Sequence, residues 1–502
     1  MYLHPTGLCR ESELKKKLMN GRLLMVLCCM LWSLWTVKAQ DTFDFGTHKP
    51  DLSWAEGVGA RVFPKDKVFY AEDFGLKQDT AVLSTSAIQA AIDACSRDGG
   101  GIVTMREGYY RIGALFVKDG VNLHVPQGVV LIASEDFDDY PESFTRIAGI
   151  EMQWPAGVIN FEGVRNAALT GKGTIDCRGA FCWNKYWAMR KDYEKRGLRW
   201  IVDYDAKRIR GIVVSKSSDI SLKDFTLLRT GFWGCQVVYS DHCTVDGIRI
   251  NNNLGGHGPS TDGIDIDSSS DILVEDAYID CNDDNICLKA GRDADGLRVN
   301  RPTERVVIRR CTAAKGGGLV TIGSETSGGI RQVLAYDLRS EGTKTMLRLK
   351  SAINRGGTIE HIYVTRCEGK DVKNVLVADL NWNPSYSYSK LPAEYEGKAL
   401  PAHWKVMLTP VEPKEKGYPH FRSVYMSHVT VKNADTYIDA KGRDDSLRIE
   451  DFYLYKHDVE AQKAGKVMFS ENFRMDEIRL KAEQKPLREE NNIGFRAGII
   501  YE

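Results

Sequence analysis

An excess of charge of either sign is missing from this sequence. Lys plus Arg and Asp plus Glu each number 68 in 502 residues, so the formal net charge is zero. Without a basic excess there is no field to draw in nucleic acid, although a local site can still bind an anion. Long apolar runs are missing too. The run over residues 23–37 is shorter than the ~17–25 residues of a membrane-spanning helix. It follows Lys15, Lys16, Lys17 and Arg22 and precedes Lys38-Ala39-Gln40, the layout of a secretory signal peptide. Residues 1–39 are therefore read as a signal peptide and 40–502 as one domain. The mature chain is expected to be secreted or periplasmic, without membrane insertion.

No C-x-x-C spacing occurs, which argues against a zinc site built from cysteines, and no metal or other cofactor is expected. Three of the twelve cysteines, Cys9, Cys28 and Cys29, fall in the signal segment. The rest are odd in number, so at least one is unpaired or pairs between chains. Cys177 with Cys182, and Cys281 with Cys287, are close enough in sequence for local bridges. Helical stretches are absent between the strand-like segments, which excludes a doubly wound sheet.

What is present is a ladder. Seven segments share one pattern of two alternating apolar positions, a two-residue gap, then further apolar positions: Ile220/Leu222/Phe225/Leu227, Cys243/Val245/Ile248/Ile250, Ile272/Val274/Ala277/Ile279, Val306/Ile308/Cys311/Ala313, Val333/Ala335/Leu338, Ile362/Val364/Cys367 and Val424/Met426/Val429/Val431. They begin about 23–34 residues apart, with one gap of about 62, which is the irregular period of a solenoid whose rungs carry unequal loops. A second register runs through Cys235/Val237, Ile264/Ile266, Ile286/Leu288, Val320/Ile322 and Leu347/Leu349. The expected fold is all-β, a single-stranded right-handed parallel β-helix. Cys243, Cys311 and Cys367 fall on inward positions and read as buried free thiols. One amphipathic helix, with Ile88, Ala91, Ile92 and Cys95 on one face, follows Ser84-Thr85 and stops at Gly99-Gly100-Gly101; it is expected to cap the solenoid.

Aligned by the second register, Asp262 falls over Asp284 with Asp283 beside it. Asp265 shares a column with Arg348, and Asp267 shares one with Lys289 and Lys350. Rungs of parallel strands lie about 4.7–4.9 Å apart, so the three carboxylates should cluster and shift one another's proton affinity. Arg348 and Lys350 suit a substrate that is itself a carboxylate.

These segments resemble glycoside hydrolase family 28, the polygalacturonase and rhamnogalacturonase group. The motifs N-T-D, G-D-D, G-H-G and R-I-K stand here as Ser260-Thr261-Asp262, Asn282-Asp283-Asp284, Gly316-Gly317-Gly318 and Arg348-Leu349-Lys350. The stretches "AEDFGLKQDT", "GGGIVTMREGYYRIGALFVKDGVNLHV", "LTGKGTIDCRG" and "IGSETSGGIRQV" extend the likeness over most of the mature chain. The resemblance implies a secreted inverting hydrolase of galacturonate linkages in pectin. Asp283 would be the general acid, while Asp262 and Asp284 would hold the attacking water. Inversion calls for carboxyls roughly 6.5–9.5 Å apart, expected from diagonal placement on neighbouring rungs. Arg348, Lys350, Asp265 and Trp233 are the expected substrate-binding residues.

Two motif positions depart from the family. Ser260 replaces Asn, and a glycine replaces His, which is more like the rhamnogalacturonan-acting branch. His257, in a look-alike Gly-His-Gly, is read as a loop residue. An aromatic insertion at about 381–420, with Trp382, Tyr386, Tyr388 and Trp404, either walls the cleft or packs on itself. The segment "AFCWNKYWAMRKDYEKRGLRW" reads only as a long, partly helical loop. The partner is expected to be a pectic poly- or oligosaccharide, and the chain a monomer. The alternatives are a polygalacturonase on homogalacturonan, exo or endo, a polysaccharide lyase of the same fold, and a noncatalytic glycan-binding β-helix.

Overall fold

The apolar columns become columns of the core. In the computed structural model, which describes residues 43–502, Ile220, Cys243, Ile272, Val306, Val333, Ile362 and Val424 succeed one another in parallel register. All are buried, and full burial of an aliphatic side chain stabilises by about 1.5–3 kcal/mol. The chain winds as a right-handed parallel β-helix. The signal segment lies outside the described residues.

The two-residue gap has a backbone cause. Its second residue, in turn Asp224, Gly247, Asp276, Arg310, Asp337, Arg366 and His428, has positive φ. A left-handed residue turns the chain sharply, so the flanking side chains, such as Leu222 and Phe225, both enter the core. Asp accepts this conformation more readily than most residues. Arg310 and Arg366 carry it while pairing with Asp276 and Asp337 of the coil before.

The second register forms the sheet that becomes the floor of the site. Strands Ile264–Asp267, Ile286–Lys289, Val320–Ile322 and Thr345–Lys350 place Asp265, Cys287, Thr321 and Arg348 in one column. Asp262 and Asp284 each lie two residues before their strand.

Helix Thr85–Arg97 buries Ile88, Ala91, Ile92 and Cys95 against the first coil. Ahead of it, the N-terminal segment runs along the outside of the solenoid. His48 stacks on Tyr425 at 3.7 Å, Gly59 donates to the Asp271 carbonyl, and Arg61 pairs with Asp219 at 2.8 Å. Strand Val68–Tyr70 then joins the first coil beside Ile102–Thr104.

The local disulfides expected from spacing do not form. Cys177, Cys182, Cys281 and Cys287 are free and buried, as are the other described cysteines, including Cys243, Cys311 and Cys367. Cys281 turns inward into the apolar core, whereas Cys287 lies on the other face of its strand, under the carboxylates.

The excursions that wall one side of the coil include an antiparallel hairpin, Glu142–Ile147 with Ile150–Pro155; a helix, Ala180–Lys195; and the connection between strands Asn374–Asp379 and His420–Lys441. They pack on one another through a second apolar cluster that includes Trp154, Trp200, Tyr204 and Trp404. Trp404 is therefore a packing residue. At the hairpin tip Gly149 has φ 92°, and a Cβ there would sit 2.4 Å from the Cβ of Arg292. Glycine is what lets the tip approach so closely.

Candidate active site

The excursions and the floor sheet enclose a cavity of about 340 Å³. Asp262, Asp283 and Asp284 lie on its floor, each offering a carboxylate oxygen within 4.8 Å of the others. These closest oxygens fall short of the carboxyl spacing expected from diagonal placement. Asp284 is the most firmly held: Oδ2 accepts from Lys350 Nζ at 2.7 Å, and Oδ1 accepts from Thr321 Oγ1 at 2.8 Å and faces Arg348 Nη1 at 3.4 Å. Burial alone would raise its pKa, but Lys350, Arg348 and Lys289 overcome this and hold the carboxyl below its ordinary range.

Asp283 is shifted the other way. Burial and then the Asp284 charge raise it, with Lys350, Arg348 and Lys289 offsetting part of the effect. Asp262 is raised strongly by burial, Asp265 and Asp283. One cluster thus holds one carboxyl pulled down by its cations and two pushed up by burial and by one another. Its charge is balanced from within: Lys289 Nζ is 3.6 Å from Asp262, 3.4 Å from Asp265 and 3.4 Å from Glu325. With two ammonium groups already placed among the acids, the donor set suits proton sharing better than a divalent ion.

The other expected site residues separate into two sets. Trp233 lines the cavity, stacks on Phe232 at 4.8 Å and has Lys289 Nζ 5.1 Å from its ring. Asp265 does not line it. Its side chain has no exposed surface, and it sits behind Lys289 with its pKa pushed up to about 8 by burial. The residue is mid-strand on the outer face of the floor sheet, between the core residues Ile264 and Ile266, and Lys289 covers it from the cavity. Arg348 is 21% exposed and keeps an edge toward the cavity, whereas Lys350 is 6% exposed and directed at Asp284. Trp382 covers both cations, with Lys350 Nζ 4.4 Å and the Arg348 guanidinium 5.5 Å from its ring.

Of the three glycines at the family's histidine motif, Gly317 lines the cavity, and a Cβ on it would lie 2.7 Å from Asp284 Oδ1 and 3.4 Å from Arg348 Nη1. The Arg348–Asp284 pair occupies the volume of a side chain. Ser260, at the Asn position, donates to Asp203 Oδ1 at 3.3 Å. Asp203 also accepts from Arg199, Arg208 and Tyr186, so Ser260 ties the loop before Asp262 to the segment that follows helix Ala180–Lys195.

Lys289 lines the cavity from the column it shares with Asp267. Glu325, Trp187, Arg190 and Arg199 line it without a legible signal in the sequence. Glu325 follows strand Val320–Ile322, outside the floor register, and the other three belong to the excursion containing Ala180–Lys195, which has no repeat to align. His257 lies in a loop, and its ring lines the cavity, stacked on Trp187 at 5.4 Å. Of the aromatic insertion, Trp382 and Tyr386 line the cavity, whereas Tyr388 and Trp404 do not. Tyr386 is held by its hydroxyl on Glu325 at 3.1 Å and by Arg292, which donates to its carbonyl at 2.7 Å.

Comparison with known proteins agrees with this geometry. The chain is 29% identical over 339 residues to a Vitis vinifera protein named "Probable polygalacturonase", covering 66% of this chain and 65% of that one. It is 26% identical over 373 residues to the exo-poly-alpha-D-galacturonosidase of Dickeya chrysanthemi, covering 66% and 60%. In both cases the match spans less than two thirds of the relative's length. Among solved structures, the family 28 exopolygalacturonase of Yersinia enterocolitica shares the fold, with a TM-score of 0.69 at 20% identity over 85% of this chain and 78% of that one. The family model described as glycosyl hydrolases family 28 matches residues 130–393, more than half of the chain and all of the acid and cation columns. On that match, the chain belongs to glycosyl hydrolases family 28.

Proposed function

We propose that this protein is an exported glycoside hydrolase that cleaves galacturonate-containing bonds of pectin by single displacement with inversion. The observation that carries the reading is the unlike surroundings of two adjacent carboxyls, Asp284 bound by Lys350 and Thr321 and Asp283 buried beside the Asp284 charge. Asp283 is pushed toward its protonated form and Asp284 toward its charged form, which is how acid and base roles are divided between like residues. Asp283 protonates the departing glycosidic oxygen. Asp284, with Asp262, holds and activates the water. Both oxygens of Asp284 are engaged by donors, which weakens it as a nucleophile and favours a water-mediated route over a covalent intermediate. Arg348 presents its free edge to a uronate carboxylate.

The substrate reading is rhamnogalacturonan or its oligosaccharides, supported by Ser260 and Gly317 at the motif's Asn and His positions. A second reading, homogalacturonan, is favoured by the names of the curated relatives. The walls contributed by the hairpin, the helix and the aromatic insertion favour exo action, a mode also named for the Dickeya relative. Export rests on the signal-like residues 1–39; no described helix is long and apolar enough to cross a membrane.

Incubation with defined polygalacturonate and rhamnogalacturonan oligomers, followed by product sizing, tests this. The expected result is shortening of one series by single units, without products absorbing in the ultraviolet. Unsaturated products and loss of activity with chelator would mean a lyase. Binding without conversion would mean a glycan-binding β-helix.

A further inference from the structure

Arg190, Trp187 and His257 form a layered group on the wall of the cavity. The Trp187 indole stacks on the His257 ring at 5.4 Å and donates to the His257 carbonyl at 2.8 Å. The Arg190 guanidinium lies 5.5 Å from the Trp187 ring. His257 is five residues before Asp262 in the same loop, and Trp187 and Arg190 come from the excursion before strand Ile212–Ser215, two coils ahead of Ile264–Asp267, so the group lies on the Asp262 side of the cavity. Arg348 and Lys350 stand three coils farther on, about 14 Å along the axis at 4.7–4.9 Å per rung.

The cations near this end differ in what holds them. Arg199 is fixed by Asp203 at 2.6 Å and lies over Tyr386 at 4.9 Å. Arg190 is held only through Nε, which donates to Glu194 Oε1 at 2.8 Å one helical turn on. Its two terminal nitrogens make no hydrogen bond among the described residues. An i,i+4 surface pair of that kind is weak. Arg190 therefore borders the cavity with an open two-nitrogen edge, and the Trp187 ring lies beside the guanidinium. A planar edge of this kind matches the two oxygens of a carboxylate.

We propose that Arg190 is a second uronate-recognition residue, receiving the carboxylate of the sugar bound at the end of the cavity remote from Arg348. The inference rests on the pectin-hydrolase reading and adds a binding partner at the opposite end of the substrate. Trp187 and His257 are positioning residues in this arrangement.

The test is calorimetric binding to the full chain carrying Asp283→Asn, so that ligand is not consumed. The probes are trigalacturonate and two derivatives in which one or the other terminal carboxyl is reduced to the alcohol. In the Asp283→Asn parent, one of the reductions should weaken binding at least tenfold through Arg190. Adding Arg190→Gln should remove that discrimination while leaving discrimination at the other terminus. Arg190→Lys should restore part of it, and Lys195→Gln, on the exposed last turn of the same helix, should restore none and remove none. Persistence of both discriminations in Arg190→Gln overturns the proposal, as does an equal loss in Lys195→Gln, which would indicate a general field. If wild type hydrolyses neither polygalacturonate nor rhamnogalacturonan oligomers and the parent binds neither series, the hydrolase reading fails, and this inference with it.

Discussion

Replacing Lys350 by Met removes a buried ammonium 2.7 Å from Asp284 Oδ2 and keeps most of the side-chain volume. Breaking a buried pair outright costs about 3–5 kcal/mol. Here Asp284 keeps Thr321 at 2.8 Å and Arg348 at 3.4 Å, so the loss belongs nearer the ~1.5–3 kcal/mol of one hydrogen bond to a charged group. At about 1.36 kcal/mol per pKa unit, the Asp284 carboxyl should rise by roughly one to two units. The acidic limb of kcat/KM reports the base of the free enzyme, so it should move to higher pH by the same amount. The stability effect has a definite sign. A carboxyl depressed in the folded state stabilises above its unfolded pKa, and that contribution is lost as pH falls through the folded value. The variant should thus be less stable than wild type by about 1.5–3 kcal/mol at neutral pH, with the gap narrowing below roughly pH 4. The assay is the pH–rate profile of both proteins on their best oligomer, with denaturant melts at two pH values. An unmoved acidic limb, together with a loss confined to acidic substrates, would refute the argument. Lys350 would then act on the substrate carboxylate rather than on Asp284.

Three further outcomes are expected. Asp283→Asn should lower turnover by about two to four powers of ten, the usual contribution of a general acid, with an unchanged melting curve; near wild-type rates would transfer the acid role to another residue. Proton NMR of the first product should show the inverted anomer, and retention would make one of the carboxylates a nucleophile. Gly317→Ala should cut kcat at least tenfold by displacing Asp284 from Arg348, since its Cβ would stand 2.7 Å from Asp284 Oδ1; wild-type kinetics in a folded variant would show that the carboxylate relaxes freely.

The legible part of this molecule is the part that repeats. Ile220 predicts Cys243 and Ile272 because each coil must place an apolar side chain over the one before, and the same register carries Asp262 onto Asp284 and Asp265 onto Arg348. Column membership shows which residues are neighbours, not which are wet. Asp265 and Arg348 share a column, yet one is sealed behind Lys289 and the other reaches the cavity. Residues such as Arg190 and Trp187 were not legible because a single excursion has no second copy to align, and its partner, His257, is about 70 residues away. The cysteine spacings misled because the chain changes course between the partners. Cys177 follows strand Thr174–Asp176 whereas Cys182 lies in helix Ala180–Lys195, and a turn separates Cys281 from strand Ile286–Lys289, which carries Cys287.

A stack of coils that touch only their neighbours ordinarily frays from its ends, each terminal unit opening at its own small cost. The segment from Phe45 to Arg61 removes that freedom. Gly46 lies against Tyr453, His48 against Tyr425, Gly59 against Asp271 and Arg61 against Asp219, so one short stretch of chain spans the coils that carry the acids and several on either side. Opening a coil near Tyr425 and opening one near Asp219 then share the step of lifting the same segment, which couples their melting. The protein should behave as a cooperative unit rather than a chain of independent links, with amide exchange in the coils from Asp219 to Tyr425 slowing and quickening together.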